Sequence, residues 1–252
     1  MKNFSILGCG WLGLALANSI KKDYHLKCSV SSSSSLNKLK EEGFDAYLLN
    51  DNTLSSLDDF LACDILFINI PPSKAENYLL LLEKIYNKIL KKTKVIFIST
   101  TSVYPKKEGD YTEDFTLLSD SSNLALCAEI QVSKRTNLIF RCAGLMGYNR
   151  IAGKYFSNKI LTCAKEKVNY VHRDDVIAAI KYALKYDLEG IYNLCSPVHL
   201  CKKEIYDYNA KKYEFLSVQF SSKKEYKNRI INSDKLRKEG FSYLYSSPKD
   251  YI

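Results

Sequence analysis

The chain has 252 residues, of which 46% are hydrophobic and 26% are charged, the composition of an ordinary globular protein. A chain of this length buries enough surface to hold its core without disulfides or metals, and the composition excludes disordered and collagen-like classes. Lys and Arg exceed Asp and Glu by 37 to 28, but the lysines are scattered. This is typical of a solvated basic surface, with an anionic ligand or nucleic acid as the alternative.

Short apolar runs alternate with longer amphipathic segments, a pattern that indicates β-α-β units around a parallel sheet. The predicted strands are Asn3–Leu7, Leu26–Val30, Ala46–Leu49, Ile65–Ile70, Val95–Ser99, Leu138–Arg141 and Ile191–Leu194. The predicted helices are Trp11–Lys22, Ser34–Glu42, Lys74–Lys91, Ser122–Lys134 and Asp174–Lys185. The sequence therefore predicts an α/β fold, with a Rossmann doubly wound parallel sheet of about seven strands and a small C-terminal substrate lobe.

The alternation of predicted strands and helices is interrupted in two places. The segment Ser102–Ser121 is polar and rich in turn residues, which predicts a long loop at the carboxyl end of a strand, where ligands bind in such sheets. After about residue 145 the apolar runs become irregular. We therefore divide the chain into a dinucleotide-binding core over residues 1–145 and a smaller lobe over 146–252, from which strand 191–194 returns to the sheet.

Three of the ten glycines fall within the run Gly8-Cys9-Gly10-Trp11-Leu12-Gly13. This G-x-G-x-x-G pattern follows the first predicted strand and opens the first helix, which is the context that dinucleotide binding requires. The first glycine permits a tight turn, the second lets the backbone approach a pyrophosphate, and the third lets the helix pack on the strand. The alternative is a turn that is rich in glycine for packing alone.

The end of the second predicted strand bears on the choice between NAD and NADP. An acidic residue there would hold the 2′-hydroxyl of NAD, but the sequence reads Ser31-Ser32-Ser33-Ser34-Ser35. Serine hydroxyls and the nearby Lys38 suit a 2′-phosphate, so the sequence favours NADP over NAD. The serines also suit a solvated loop in which Ser34 or Ser35 caps the next helix.

Six further segments follow the glycine turn in a distinctive order: Val95–Pro105, Glu113-Asp114, Glu129, Ile139–Gly147, Val171–Val176 and Gly190–Asn193. This succession covers nearly the whole chain and resembles the extended short-chain dehydrogenase/reductase superfamily, the NAD-dependent epimerase/dehydratase group. The glycine turn and the short length are most similar to its atypical members, the YeeZ-like NAD(P)-binding proteins. We expect cofactor contacts at Gly8, Gly10, Trp11, Leu12, Gly13, Ser31, Ser32, Ser33, Ile70, Pro71, Pro72 and Thr100.

In that superfamily a Ser or Thr, a Tyr and a Lys form the reaction centre. The resemblance assigns the first position to Thr100 and, counting back from Glu129, the other two to Ser121 and Ala125. A neighbouring ammonium brings the pKa of a tyrosine from near 10 towards neutrality, so that the hydroxyl can exchange a proton with substrate. Ser121 and Ala125 cannot supply this chemistry.

Other residues could replace the missing pair, and each has an ordinary structural interpretation. Tyr104 and Tyr111 lie near the same loop, and His172 titrates near neutral pH. As a structural residue, Tyr104 would be a packed aromatic and His172 an anchor at a strand–helix junction, while Cys127 would fill the core. Asp174 and Asp175 are first of all N-terminal helix residues. Arg141, at the end of a core strand, requires either a ligand or a buried ion pair.

The eight cysteines show neither a C-x-x-C pair nor a Cys/His spacing that would form a metal site. We therefore expect buried, reduced thiols in a cytoplasmic protein without a metal. The hydrophobic run before Gly8, Phe4–Leu7, is too short for the roughly 7–15 residues of a signal-peptide core. No apolar stretch approaches the roughly 20 residues of a membrane span, so the sequence predicts no membrane partner.

The leading hypothesis is an NAD(P)-dependent oxidoreductase or epimerase/dehydratase. By resemblance, its small-molecule substrate would be a sugar, a nucleotide sugar or a small carbonyl compound. The alternative is a cofactor-binding sensor that lacks the Tyr–Lys pair. The predicted helix Lys74–Lys91 has an apolar surface wider than one sheet contact needs. We therefore predict a homodimer in which this helix and Ser122–Lys134 pack against their symmetry mates. Nucleic acid binding rests on charge alone and is not favoured.

Overall fold

The computed structural model describes residues 1–50, 53–118, 120, 122–221 and 228–252. The strands are β1 Lys2–Leu7, β2 Tyr24–Val30, β3 Asp45–Leu48, β4 Ile65–Ile68, β5 Lys94–Thr100, β6 Gly109–Tyr111, β7 Leu138–Cys142, β8 Gly144–Met146, β9 Ile160–Leu161, β10 Tyr170–His172, β11 Gly190–Leu194, β12 Gln219–Phe220 and β13 Arg229–Ile231. The helices are α1 Trp11–Ile20, α2 Ser33–Glu41, α3 Leu57–Leu61, α4 Tyr78–Lys88, α5 Leu124–Ser133, α6 Arg173–Lys185, α7 Lys202–Lys212 and α8 Asp234–Lys238.

Seven strands form a parallel sheet in the order β11-β7-β5-β4-β1-β2-β3. The chain begins at β1, builds β2 and β3 on one side and then crosses to β4 and β5 on the other. In a sheet of this kind, ligands bind outside the carboxyl ends of the strands where the strand order reverses, here between β1 and β4. The predicted Rossmann fold is confirmed, and all seven of its predicted strands are present.

The chain forms two compact units. The first comprises Met1–Ser99, Leu118–Phe140 and Leu188–Ile191, and the second comprises Thr100–Leu117, Arg141–Asp187 and Tyr192–Ile252. In the first unit all four residues of β4 are buried, as expected of a central strand that is covered on both faces. Its core brings β4 together with buried side chains of α3 and α4, including Leu57, Phe60, Leu82 and Ile85.

The second unit contains short elements that the sequence did not predict. Each of three two-stranded parallel pairs, β8 with β10, β9 with β12 and β6 with β13, has strands of only two or three residues. Strands this short show no apolar alternation. The polar segment Ser102–Ser121, predicted as a loop, contributes β6 to one of these pairs. The mostly polar helix α7 buries Ile205 and Tyr206 in a small core of this unit.

Differences at the ends of the predicted elements have local causes. Strand β4 ends at Ile68, two residues earlier than predicted, and Tyr78 donates its hydroxyl hydrogen to Ile70 O at 2.9 Å. Helix α4 begins at Tyr78 because Asn77 caps it, with the side-chain oxygen accepting from the backbone N–H of Leu80. Pro72 starts a separate single 3₁₀ turn.

Asp175 gives the second unit a pH-dependent contact. Its side chain is buried in the first turn of α6 and accepts hydrogen bonds from the backbone N–H groups of Leu244, at 2.6 Å, and Tyr245, at 3.3 Å. Burial outweighs these bonds and raises the pKa of Asp175 to about 6. Ionisation therefore costs more in the folded chain than in the unfolded chain, so this residue's contribution to stability is greatest at low pH and is lost as pH rises.

We predict that the free energy of unfolding of the native protein, relative to Asp175→Asn, falls by about 2 kcal/mol between about pH 4 and pH 7. Asparagine keeps a carbonyl acceptor for the same N–H groups but does not titrate in this range. Urea denaturation of both proteins across this range measures the difference. A difference that does not change with pH would contradict the assignment.

Candidate functional site

The glycine turn joins β1 to α1 by close contact between backbones. Gly8 has a φ of +97°, and a Cβ there would lie 2.7 Å from Asn69 O. A Cβ at Gly13 would lie 2.4 Å from Gly8 O. A Cβ at Gly10, in contrast, would meet no atom of the described chain within 4 Å. The first and third glycines are therefore required by packing, whereas the second faces open space through which a ligand can approach.

Helix α1 begins immediately behind this opening. Gly10 is its N-cap, no described side chain caps it, and its first turn contains no acidic residue. The N-terminus of a helix presents backbone N–H groups and a positive dipole end to an anion. Gly10, Trp11, Leu12 and Gly13 lie at this end, so the residues present fit the pyrophosphate of a dinucleotide.

Two polar residues that the sequence reasoning did not single out hold the turn in place. Ser29, buried near the end of β2, accepts the N–H of Gly8 on its hydroxyl at 3.1 Å and the N–H of Cys9 on its carbonyl at 2.7 Å. On the other side, the Asn69 amide donates to Gly8 O at 3.3 Å. A polar residue that interrupts or ends an apolar strand is the signal that could have revealed both.

The segment Ile70-Pro71-Pro72 follows Asn69 directly, so the first unit brings it to the glycine turn at the carboxyl ends of β1 and β4. The Tyr78 hydroxyl fixes the carbonyl of Ile70. A Cβ at Gly8 would lie 3.3 Å from Ile70 N, so Ile70 is beside the turn, and Pro71 and Pro72 continue the chain from it.

The serine run lies at the end of β2 and the start of α2. Ser32 caps α2, accepting the N–H of Ser35 at 3.4 Å, and Asn50 donates to Ser31 O at 3.1 Å. Ser33 is the first residue of the helix. Lys38 lies in the last turn of α2, separated from Ser32 by about 9 Å of helix rise. The hydroxyls and the N-terminus of α2 are therefore together, and Lys38 is set apart from them.

Thr100 is the last residue of β5 and belongs to the second unit. It caps the single 3₁₀ turn Thr101–Val103, and its hydroxyl oxygen accepts the N–H of Ser102 at 3.2 Å. A hydroxyl that accepts one hydrogen bond can still donate its own hydrogen. Thr100 can therefore polarise a substrate oxygen.

Tyr104 lies in a buried polar network. Its hydroxyl accepts from Arg141 at 2.8 Å and lies 2.8 Å from Asn193 Oδ1 and 3.0 Å from Thr112 O. The guanidinium of Arg141 also lies 5.0 Å from the centre of the tyrosine ring. Burial raises the pKa of Tyr104. The geometry favours a structural tie over a proton donor, and the Tyr104 hydroxyl is a partner for Arg141.

Glu113 and Tyr111 lie in the same region of the second unit. Glu113 accepts the backbone N–H of Asn193 at 2.7 Å, and burial raises the pKa of its carboxyl. The buried Tyr111 donates its hydroxyl hydrogen to Lys107 O at 3.2 Å. Glu113 therefore ties the segment after Thr100 to β11, whereas the hydrogen bond of Tyr111 lies within that segment.

His172 is fully buried between β10 and α6. Its Nδ1 accepts the N–H of Asp174 at 3.2 Å, its Nε2 lies 3.4 Å from Ile252 O, and the Tyr245 ring centre is 3.9 Å away. Burial lowers the pKa of His172, so the ring is neutral near pH 7. These contacts favour an anchor that caps α6.

Of the two positions assigned to the missing Tyr and Lys, only the second lies within the described residues. Ser121 lies outside the described residues. Ala125 is the second residue of α5, one turn before Glu129, and Glu129 accepts the hydroxyl of Ser99 at 2.5 Å. Cys127, on the same helix, donates to Asp120 O at 3.4 Å. Along the described part of α5, therefore, no ammonium takes the place of the lysine.

Across the described ranges, no group of three or more His, Cys, Asp or Glu side chains could hold a metal ion. In the same part of the chain, no helix is both long enough and apolar enough to cross a membrane.

Comparisons with known proteins identify the family and the fold. No protein-family model matches the chain. The chain is similar to protein YeeZ of Escherichia coli strain K12, with 30% identity over an alignment that covers 98% of each chain.

Solved structures with the same fold include nucleotide-sugar epimerases. UDP-N-acetylglucosamine 4-epimerase from Methanobrevibacter ruminantium, in complex with UDP-N-acetylmuramic acid, superposes with a TM-score of 0.79 at 14% identity, covering 99% of this chain and 94% of that one. A mutant of UDP-glucuronic acid 4-epimerase from Bacillus cereus, in complex with a fluorinated UDP-glucuronic acid and NAD, gives 0.76 at 17% identity, covering 99% and 96%. The fold that the sequence resemblance implied is thereby confirmed.

Substitution of Gly10 should affect cofactor binding, whereas substitution of Gly13 should affect stability. Gly10→Val should leave the free energy of unfolding nearly unchanged, because its side chain enters open space, but should abolish the response of Trp11 fluorescence to NADPH by blocking backbone approach. Gly13→Ala should lower the free energy of unfolding by about 1–3 kcal/mol, because its Cβ would meet Gly8 O. Urea denaturation and NADPH titration of both variants measure this. A Gly10→Val protein that still binds NADPH like the native chain would contradict the ligand role of the turn.

Proposed function

We propose that this chain, which belongs to the family of protein YeeZ, binds a nicotinamide dinucleotide at its glycine turn and uses it on a small-molecule substrate. The observation that carries the proposal is the open space at Gly10 in front of the uncapped N-terminus of α1. A glycine-rich turn formed for packing alone would need only Gly8 and Gly13.

NADP is the proposed cofactor, in preference to NAD. The end of β2 carries Ser31, Ser32 and Ser33 at the N-terminus of α2, where hydroxyls and helix N–H groups suit a 2′-phosphate. Lys38 lies in the last turn of α2, away from the serines. The proposed preference for NADP therefore rests on the serine hydroxyls and the N-terminus of α2 alone.

The cofactor preference is tested by titrating the single tryptophan, Trp11, which lies in the turn. NADPH should change its emission at lower concentration than NADH, and Ser32→Asp should reverse the order, because a carboxylate repels the 2′-phosphate and accepts the 2′-hydroxyl. Tighter binding of NADH by the native protein would refute the serine argument. No response to either would refute cofactor binding.

The proposed substrate is a sugar, a nucleotide sugar or a small carbonyl compound, and the charge of the second unit favours an anionic one. This unit contains 23 Lys and Arg against 15 Asp and Glu, whereas the first unit contains 14 against 13. A positive unit attracts and retains an anion such as a nucleotide diphosphate.

The bound cofactor would supply hydride transfer, and the chain itself supplies orientation and polarisation. Thr100 is the residue that donates a hydrogen bond to the substrate oxygen. Proton transfer is the weak point, because Ala125 carries no charge and Tyr104, Tyr111 and His172 are engaged in buried contacts. Their engagement is the observation that favours the second candidate function, a dinucleotide-binding sensor with little or no turnover.

Restoring the missing pair separates these two functions. We predict slow turnover for the native chain on UDP-sugars or simple carbonyl compounds, with about a 10²–10⁴-fold gain in rate for Ser121→Tyr with Ala125→Lys. Thr100→Val should remove most of either activity, and Thr100→Ser should retain it. Rates are followed by NADPH absorbance. Tight cofactor binding without turnover by the native or the restored protein would favour the sensor.

We also propose that the protein is a cytoplasmic homodimer. All eight cysteines, each within the described residues, are free, as expected in a reducing compartment. Much of the broad apolar surface of α4 is internal, since Tyr78, Leu81, Leu82 and Ile85 are buried. Three large apolar residues of α4 and α5 remain exposed: Leu80, Leu124 and Ile130.

The two helices lie side by side, with the Gln131 amide donating to Leu79 O at 3.0 Å, so these residues can form one contact surface. Leu80→Lys with Ile130→Lys should convert the dimer into a monomer in sedimentation velocity, because each charge would be buried without a partner. Leu90→Lys, equally exposed but beyond the end of α4, is the control. A native protein that is monomeric at tens of micromolar would remove the dimer.

A further inference from the structure

The second unit exposes three large apolar side chains close together. Tyr155, Ile160 and Leu216 have 79%, 74% and 65% of their surface accessible. The Ser157 hydroxyl donates to Leu216 O at 3.1 Å, which joins the segment that carries Tyr155 to the segment that carries Leu216. We call these three residues the Tyr155 patch.

The backbone fixes the outward direction of the patch. Strand β9 pairs with β12 so that Ile160 lies opposite Gln219, and both are exposed. Side chains alternate along a strand, and the next residues, Leu161 and Phe220, pack against the core of this unit. The exposure of Ile160 therefore follows from the register of the pair, because turning it inward would expose Leu161.

Two lysines lie beside the patch. Lys159 Nζ lies 4.3 Å from the centre of the Tyr155 ring, and Lys154 is in the same 3₁₀ turn as Tyr155. Residues 154–167 contain four lysines and one glutamate, and residues 211–221 contain two lysines and one glutamate. The chain segments that carry the apolar tips therefore have a net positive charge.

We propose that the Tyr155 patch docks the protein on the surface of an anionic phospholipid bilayer. A tyrosine ring suits the boundary between headgroups and acyl chains, aliphatic tips enter the apolar layer, and lysines beside them are attracted to anionic headgroups. The sequence expectation of no membrane partner rested on the lack of a long apolar stretch, which a surface contact does not need.

A second copy of the chain and single-stranded nucleic acid fit the patch less well than a bilayer surface does. A two-fold contact with a second copy would place the lysines of one patch against those of the other. Single-stranded nucleic acid binds by stacking bases on rings, and Ile160 and Leu216 have none. A lipid surface uses the aliphatic tips and the positive charge together.

The test is sedimentation of the purified full chain with vesicles of phosphatidylcholine alone and of phosphatidylcholine mixed equally with phosphatidylglycerol. The native protein should pellet with the anionic vesicles only, and about 0.5 M salt should weaken this binding, because the lysine contribution is screened. Tyr155→Ser with Ile160→Ser, and separately Lys154→Gln with Lys159→Gln, should each reduce binding roughly tenfold or more.

Leu118→Ser is the matched control, because Leu118 is 81% exposed but lies outside the patch, in the first unit. It should bind vesicles like the native chain, and thermal unfolding should confirm that all variants are folded. Absence of pelleting with anionic vesicles, equal pelleting with neutral ones, or full binding by the patch variants would overturn the proposal. So would a change in the sedimentation coefficient of the free protein in the Tyr155→Ser, Ile160→Ser variant, which would assign the patch to contact between copies.

Discussion

Backbone packs directly on backbone where β1 passes into α1, and the proposed cofactor site depends on this contact. Gly8 lies against Asn69, which follows β4, and Gly13 lies against Gly8, with no room for a Cβ at either position. Because the two strands and the helix come this close, the N-terminus of α1 lies at the carboxyl edge of the sheet. Ser29 then fixes the turn from the side of β2. Of the three glycines in the turn, Gly10 alone faces open space, which is the feature that a pyrophosphate needs.

A buried polar network has a comparable role in the second unit. Tyr104, Arg141 and Asn193 share hydrogen bonds, and Glu113 joins them through the backbone N–H of Asn193. Such a network is costly to break, because a buried polar group that loses a hydrogen bond is not compensated by water. It holds Tyr104 too firmly for the proton-transfer role that its position suggests. Tyr104 therefore acts as a structural residue, because its hydroxyl is already held by hydrogen bonds within the protein.

The sequence predicted the sheet well because its strands contain short apolar runs, such as that of β4. The segments between these runs are amphipathic, with the period of a helix. The sequence missed α7, in which polar residues outnumber the buried Ile205 and Tyr206, and the pairs of two or three residues in the second unit, which are too short to show a period. The glycine turn was predictable because the positive φ of Gly8 and the contact of Gly13 with Gly8 O arise within the turn itself. Arg141 was expected to need a partner, but Tyr104 lies 37 residues away along the chain, and only the fold brings the two together.

A crystal structure of the protein grown with NADPH tests the central claim most directly. The proposal predicts the pyrophosphate within hydrogen-bond distance of the backbone N–H groups of Trp11 and Leu12, passing over Gly10, with the 2′-phosphate beside Ser31, Ser32 and Ser33. A dinucleotide bound elsewhere, or crystals grown at saturating NADPH with no density over Gly10, would contradict it.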